Sequence, residues 1–192
     1  MKDFGKTRGF TGFTLKMRGF TLLELMIILM LIAVFAAFAV PAFKHRMERT
    51  KVEASTDELL TALRFARGEA ITRGTEVSLA PKVAAAPLDD GWNVETQNFG
   101  GASVLLREHN ALNGVKVCTG ANVCGQEIEF TFTPRGSMKV KVAGTQGTSV
   151  TLLVRPEIYN VAGNASSCGA GLLLDVNAQG HARISEDSAC TI

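Results

Sequence analysis

The sequence predicts an α+β fold: one long N-terminal helix, apolar in its first half, packed on a small antiparallel β-sheet or sandwich domain. Three observations predict it. Phe20 to Phe43 carries a single ionisable side chain, Glu24, in an otherwise apolar stretch. Lys44 to Arg73 continues with apolar residues at three- and four-residue steps, the period of a helix with one buried stripe. Beyond Gly74 the pattern changes to short β-like runs broken by Gly, Pro and Asn. The resulting segments are a basic leader (1–19), an apolar transmembrane helix (20–43), its amphipathic continuation (44–73) and a β-rich domain (74–192).

The leader holds Lys2, Lys6, Arg8, Lys16 and Arg18 against Asp3 alone. The chain of 192 residues has 20 Lys+Arg and 18 Asp+Glu, a formal net charge of +2. Without the leader the balance is 15 to 17, a net of −2. The basic excess is therefore a targeting feature and implies nothing about nucleic acid. With 46% hydrophobic residues, the length suits one anchored segment and one modest domain.

The 24 residues from Phe20 to Phe43 make about 36 Å of helix at about 1.5 Å per residue, enough to cross a bilayer. The bases ahead of it hold the N-terminus in the cytoplasm, so the remainder faces the periplasm or the cell exterior. Lys44, His45 and Arg46 weaken that asymmetry slightly. Two plainer readings compete: a cleavable signal peptide, with Ala37-Phe38-Ala39 as an A-x-A-like site, and a simple signal anchor. Neither accounts for Glu24, whose burial at helix-centre depth costs about 2.5–3.5 kcal/mol. Neither explains a helical pattern that runs on past Pro41. A carboxylate kept in an apolar helix implies a partner, and the amine exposed by a cut before Phe20 is one.

In the continuation, Val52, Thr56, Leu59, Leu60, Leu63, Ala66 and Ala70 mark the buried stripe. Lys44, Arg46, Glu48, Arg49, Lys51, Glu53, Asp57 and Glu58 decorate the other faces as a solvated surface, and Gly74 stops the helix. Strands are expected near Thr75–Leu79, Trp92–Thr96, Val104–Glu108, Val115–Val117, Ile128–Thr133, Met138–Val142, Val150–Val154, Leu172–Val176 and His181–Ser185. Pro134-Arg135-Gly136 joins two of them as a tight hairpin. Residues 84–90 and 143–147 read as loops.

Cys118, Cys124, Cys168 and Cys190 lie beyond an export segment, so disulfides are their expected state, with three pairings open. The favoured set is Cys118–Cys124, an easily closed short loop, with Cys168–Cys190. The second closes a longer loop, worth about 3 kcal/mol in the chain-entropy picture, and fastens the C-terminal tail. None forms a C-x-x-C pair. His45, His109 and His181 are scattered, with no H-E-x-x-H, nucleophile elbow or phosphate-binding loop. No metal, cofactor or enzymatic activity is expected.

Gly19-Phe20-Thr21-Leu22-Leu23-Glu24 resembles the class III leader site of type IV pilins and type II secretion pseudopilins. The resemblance implies a type IV pilin-like fold, a prepilin peptidase that cuts between Gly19 and Phe20, and N-methylation of Phe20. It implies that Glu24 pairs with a subunit's N-terminal amine and sets filament register, and that Pro41 bends the apolar half of the helix. It places the chain in the inner membrane, single-pass, and then in a pilus or pseudopilus among other pilins. A disulfide fastening the C-terminal region is common in that family, and Cys168–Cys190 is similar to it. Gly12-Phe13-Thr14-Leu15-Lys16 mimics the site but lacks the acid and the apolar run.

The stretch from Ala62 to Gly74, with Ala66-Arg67-Gly68-Glu69-Ala70-Ile71-Thr72-Arg73, is similar to the helix end of the GspH/FimT group, which takes in FimT- and FimU-type minor pilins and the H-type pseudopilin. Thr75–Leu79, Gly91–Val94 and Phe130–Gly136 resemble its strand blocks; Gly68 stands where serine is common. The resemblance implies a minor pilin at a pilus tip, supporting pilus biogenesis and twitching motility, or the H-type pseudopilin of a type II secretion system. A third alternative is a DNA-binding pilin for transformation. Its G-R-x-R motif is matched here by Gly180-His181-Ala182-Arg183, which retains only Gly180 and Arg183. Lys139 and Lys141, on one strand face, complete the candidate DNA contacts. From Gly74 onward there are 8 bases and 11 acids, a net of −3, which opposes phosphate attraction.

Overall fold

The structure, a computed structural model, describes residues 20–97, 101–120, 123–157 and 171–186, without the side chains of 37–42 and 45. The chain divides into two compact units, Met1–Pro41 and Ala42–Ile192. Helix α1 (Leu22–Arg73) begins in the first and ends in the second. In the first unit Thr21 opens the helix. Its Oγ1 accepts the Glu24 N–H at 3.2 Å and its carbonyl accepts the Leu25 N–H at 3.2 Å. A threonine there satisfies one of the donors that a first turn leaves over. The apolar side chains that follow are exposed, from Ile28 at 39% to Leu22 at 77%. Among the described residues no helix is long and apolar enough to cross a membrane. The stretch read as transmembrane includes side chains outside that set.

In the second unit α1 buries one stripe. Val52, Thr56, Leu59, Leu60, Leu63, Ala66 and Ala70 are all buried, while Lys51, Glu53, Asp57 and Glu58 are exposed. Thr56 is tolerated at 0% exposure because its hydroxyl donates to the Val52 carbonyl at 2.7 Å. Gly74 ends the helix at φ +67, donating its N–H to the Ala70 carbonyl. A glycine accepts that left-handed conformation without a Cβ penalty.

The strands follow as β1 (Val77–Pro81), β2 (Trp92–Gln97), β3 (Ser103–His109), β4 (Val115–Thr119) and β5 (Val123–Cys124). Then come β6 (Ile128–Phe132), β7 (Met138–Val142), β8 (Thr145–Gly147), β9 (Val150–Pro156), β10 (Leu172–Val176) and β11 (Ala182–Glu186). They form two antiparallel sheets, ordered β3-β2-β1-β6-β7-β8 and β11-β10-β9-β4-β5. Alternate residues point to one face of a strand. In the first sheet Val77, Leu79, Trp92, Val94, Ile128, Phe130, Phe132, Met138 and Val140 turn inward, and in the second Val115, Val117, Leu152, Val154, Leu174 and Val176 do. With the helical stripe they make one core.

The α+β architecture and the hairpin at Pro134–Gly136 agree with the sequence reading. Two short strands were not expected. β8 lies in the stretch read as a loop, because Ala143 (φ 45) and Gly144 (φ 85) make a two-residue hairpin with both central residues at positive φ. Alanine in the first of those places hides the usual Asn-Gly or Asp-Gly signal. β5 pairs Cys124 with Cys118 of β4 across the loop between them. The expected loop at 84–90 also contains a 3-10 turn, Leu88–Asp90, with Leu88 fully buried. β1 begins two residues later than expected.

If the helical stripe holds the two sheets together, Leu59→Ala destabilises the Ala42–Ile192 unit by about 2–5 kcal/mol in urea unfolding. Asp57→Ala, on the exposed face, changes it by no more than about 0.5 kcal/mol.

Candidate functional site

The end of α1 meets two turns. Arg64, Arg67, Gly68 and Ile71 share one helix face, being three and four residues apart. Arg67 Nε donates to the Gly136 carbonyl, in the β6–β7 turn, at 3.0 Å. Its side chain also runs beside Gly180, in the β10–β11 turn, where a Cβ would lie 3.1 Å from Arg67 Cδ and 2.8 Å from the Gly136 carbonyl oxygen. The two turns are joined directly as well, the Met138 N–H donating to the Ala178 carbonyl at 2.9 Å. The β10–β11 turn is held by Gly180 N–H to the Asn177 carbonyl and by His181 N–H to Asn177 Oδ1. Between helix and turn lies an open cleft of about 240 Å³, lined by Arg64, Arg67, Gly68, Ile71, Gly180, His181 and Ala182.

The residues expected to matter fall into separate places. Phe20, the first of the described residues, is exposed, and Glu24, also exposed, sits in the first turn of α1. Thr21-x-x-Glu24 is the spacing of a capping box, a signal the sequence carried that the reading of Glu24 as an apolar-helix oddity missed. Its half from Glu24 N–H to Thr21 Oγ1 is formed. Gly19, Cys168 and Cys190 lie outside the described residues, and Pro41 lies within α1 with its side chain outside them. Cys118 and Cys124 are bonded to each other.

The four candidate DNA contacts do not make one cationic surface. Lys139 Nζ lies 4.0 Å from Glu76 and Lys141 Nζ 3.8 Å from Glu129. Arg183 is in register with Asp175 on β10. Gly180, at φ +72 and against the Gly136 carbonyl, is required by the turn whether or not a ligand binds.

Other polar groups serve the fold. The Asp89 side chain, 1% exposed, accepts from Lys116 Nζ at 2.7 Å, and this hydrogen bond raises the Lys116 pKa above its ordinary value against the opposing effect of burial. His109 stacks on Trp92 with ring centroids 4.1 Å apart and places Nε2 3.2 Å from Glu58. Among the described residues no group of His, Cys, Asp and Glu could hold a metal ion.

A helix capped at an acidic first turn, exposed in its apolar part and amphipathic where it covers a small antiparallel domain, defines a pilin-type subunit. Residues 55–180 match the family described as Type II transport protein GspH, and the chain belongs to that family. It is 31% identical over 121 residues to a fimbrial protein of Moraxella nonliquefaciens, covering 60% of this chain and 68% of that one. It is 40% identical over 67 residues to a fimbrial protein of Pseudomonas aeruginosa, covering 34% of this chain and 43% of that one. The fold is similar to the crystal structure of the type IV minor pilin FimU of Pseudomonas aeruginosa, with TM-score 0.52 and 17% identity over 75% of this chain and 98% of that one.

Two outcomes check the assignment of these groups. Gly180→Ala, which forces a Cβ against the Gly136 carbonyl at positive φ, costs about 1–3 kcal/mol of stability, whereas Arg183→Ala leaves stability within about 0.5 kcal/mol. Lys116 has a raised pKa in the folded state, so its contribution is full below its unfolded value of about 10.5 and is lost as pH rises through the folded value. Lys116→Met therefore destabilises at neutral pH by about 1–3 kcal/mol, by leaving the Asp89 carboxylate without its cation, and flattens the alkaline limb of the stability profile above pH 10.5.

Proposed function

We propose that this protein is a minor pilin, carried in the inner membrane by residues 20–43 and assembled into or at the tip of a type IV pilus. The observation that carries the reading is the first unit. Its described residues expose Phe20, Leu22, Leu23, Met30 and Phe35 at 71–77%. Contiguous apolar surface of that kind is covered by lipid or by another subunit in a working protein. A bilayer covers it before assembly and the helices of neighbouring subunits cover it in the filament.

The leader delivers the chain with its N-terminus in the cytoplasm and its β-rich domain in the periplasm. Prepilin peptidase cuts after Gly19 and methylates Phe20. The new amine of one subunit then meets Glu24 of another. Ion pairing in an apolar surrounding discriminates strongly between registers, because an unpaired carboxylate there is costly. The β-rich domain is displayed to partner pilins. Its role is structural and not enzymatic, and it requires no cofactor.

The family description supports a second reading, a pseudopilus subunit of a type II secretion system, with the same anatomy in a different machine. The fimbrial relatives favour the pilus. DNA uptake has less support, since Lys139 and Lys141 already have acidic neighbours.

Glu24→Ala tests the assembly mechanism. The variant is expected to insert in the membrane at wild-type levels and to be absent from sheared filaments. Wild-type amounts in the filament would show Glu24 to be no more than a first-turn residue, worth about 0.3–1 kcal/mol to the helix.

A further inference from the structure

The cleft at the end of α1 contains a residue that the fold does not explain. Gly68 lies inside a helix, where glycine is less favourable than alanine by about 1 kcal/mol. Elsewhere on this seam glycine is demanded by positive φ or by a neighbour's backbone, as at Gly136 and Gly180. At Gly68 nothing lies within 4 Å of where a Cβ would stand. The missing side chain leaves a notch in the helix face, floored by Gly68 and walled by Arg64, Arg67, Ile71 and the Gly180–Ala182 turn.

The lining indicates what fits. No ion pair among the described residues involves Arg64 or Arg67. Arg67 is fixed through Nε on Gly136, which holds its guanidinium at the cleft. Ile71, beside them, is 50% exposed, an apolar wall next to two cations. A volume of about 240 Å³ is below the roughly 300–1,000 Å³ typical of small-molecule sites, and suits one or two side chains better than a cofactor. Nucleic acid fits poorly. It would engage a unit, Ala42–Ile192, with 15 bases against 16 acids and so no cationic excess, whereas a single carboxylate needs only the local charge.

We propose that this cleft is a socket for a segment of a neighbouring filament subunit that presents one acidic side chain beside an apolar one. The carboxylate lies between Arg64 and Arg67, and the apolar side chain fills the notch over Gly68 against Ile71. Arginine with a well-packed apolar contact is the usual make-up of an interface hot spot. The socket rests on the filament reading given above and names the chemistry of the partner surface.

The test uses the full-length chain in nanodiscs, followed by NMR at the Ile71 methyl groups and the Gly68 amide. The probes are a capped tetrapeptide with one glutamate beside one leucine, its glutamine counterpart, inorganic phosphate and a short DNA duplex. Saturable shifts at both positions are expected with the glutamate peptide, at least about tenfold weaker with glutamine. Gly68→Leu, whose Cβ meets nothing within 4 Å, is expected to occupy the notch, to keep or raise the melting temperature and to abolish the shifts, and Arg64→Glu is expected to abolish them too. In cells both variants are expected to be depleted from sheared filaments. Equal binding of the two peptides, binding that survives Gly68→Leu, or tighter binding of phosphate or DNA at these positions overturns the socket. Glu24→Ala run in parallel separates the failures. If that chain enters filaments normally, the assembly reading fails and the peptide result judges the socket alone. If it does not enter but Gly68→Leu does, the socket fails and the assembly reading stands.

Discussion

Everything in the β-rich unit depends on one strip of helix. Two sheets with apolar inner faces need a cover, and the residues from Val52 to Ala70 supply it. Its small residues Ala62, Ala66 and Ala70 are buried at 4%, 0% and 0%, in the same core as Phe130, Phe132 and Trp92. Fully burying a side chain of the leucine or phenylalanine class is worth about 1.5–3 kcal/mol. Leu59, Leu63, Phe130 and Phe132 together therefore outweigh any surface ion pair in the unit, such pairs being worth about 0–1 kcal/mol each. The inner faces fix the strand register, because a slip by one residue would turn every one of these side chains outward.

The residues that mark the GspH/FimT helix end take on physical roles in this frame. Ala66 and Ala70 are contact positions. Arg67 joins the helix to the β6–β7 turn and lies beside the β10–β11 turn, so one side chain meets a turn of each sheet. Glu69 pairs with Arg73 one turn on, an internal helix pair. Gly136 and Gly180 are shaped by Arg67 and by each other. A resemblance that rests on these positions identifies a way of closing the domain. Function has to be sought in what the closure leaves over, which is the exposed helix before it and the cleft beside it.

How much of this was legible beforehand follows from the range of the interactions. The helical stripe was readable residue by residue, since a 3.6 period needs only local sequence. So were the main strands and the stop at Gly74. The β7–β8 hairpin was not, because Ala143 at positive φ gives no composition signal. Nor was the Asp89–Lys116 pair, whose partners are 27 residues apart and whose acid sits in a stretch that reads as a polar loop. The place of Gly180 was half legible. The turn could be foreseen, but its contact with Gly136 joins two hairpins of different sheets, and no pattern in either hairpin announces the other.

Glu24 is the point at which local and assembled structure make different demands. Its N–H is satisfied by Thr21, and its position in the first turn is favourable for an acid. Those terms amount to about 0.3–1 kcal/mol from the helix dipole. Burial of a charge at the centre of a bilayer costs about 2.5–3.5 kcal/mol on insertion scales, an upper figure for a residue in the first turn. The helix alone therefore does not offset the carboxylate, and glutamine in the same place would cap nearly as well at a lower cost. What would distinguish glutamate, on the proposed reading, is a partner cation in an apolar surrounding, where attraction is strong and a misplaced charge is heavily penalised. In the proposed filament that cation is the amine of a neighbouring subunit. The acid then weakens the solitary subunit in order to make a single packing of many subunits the favourable one.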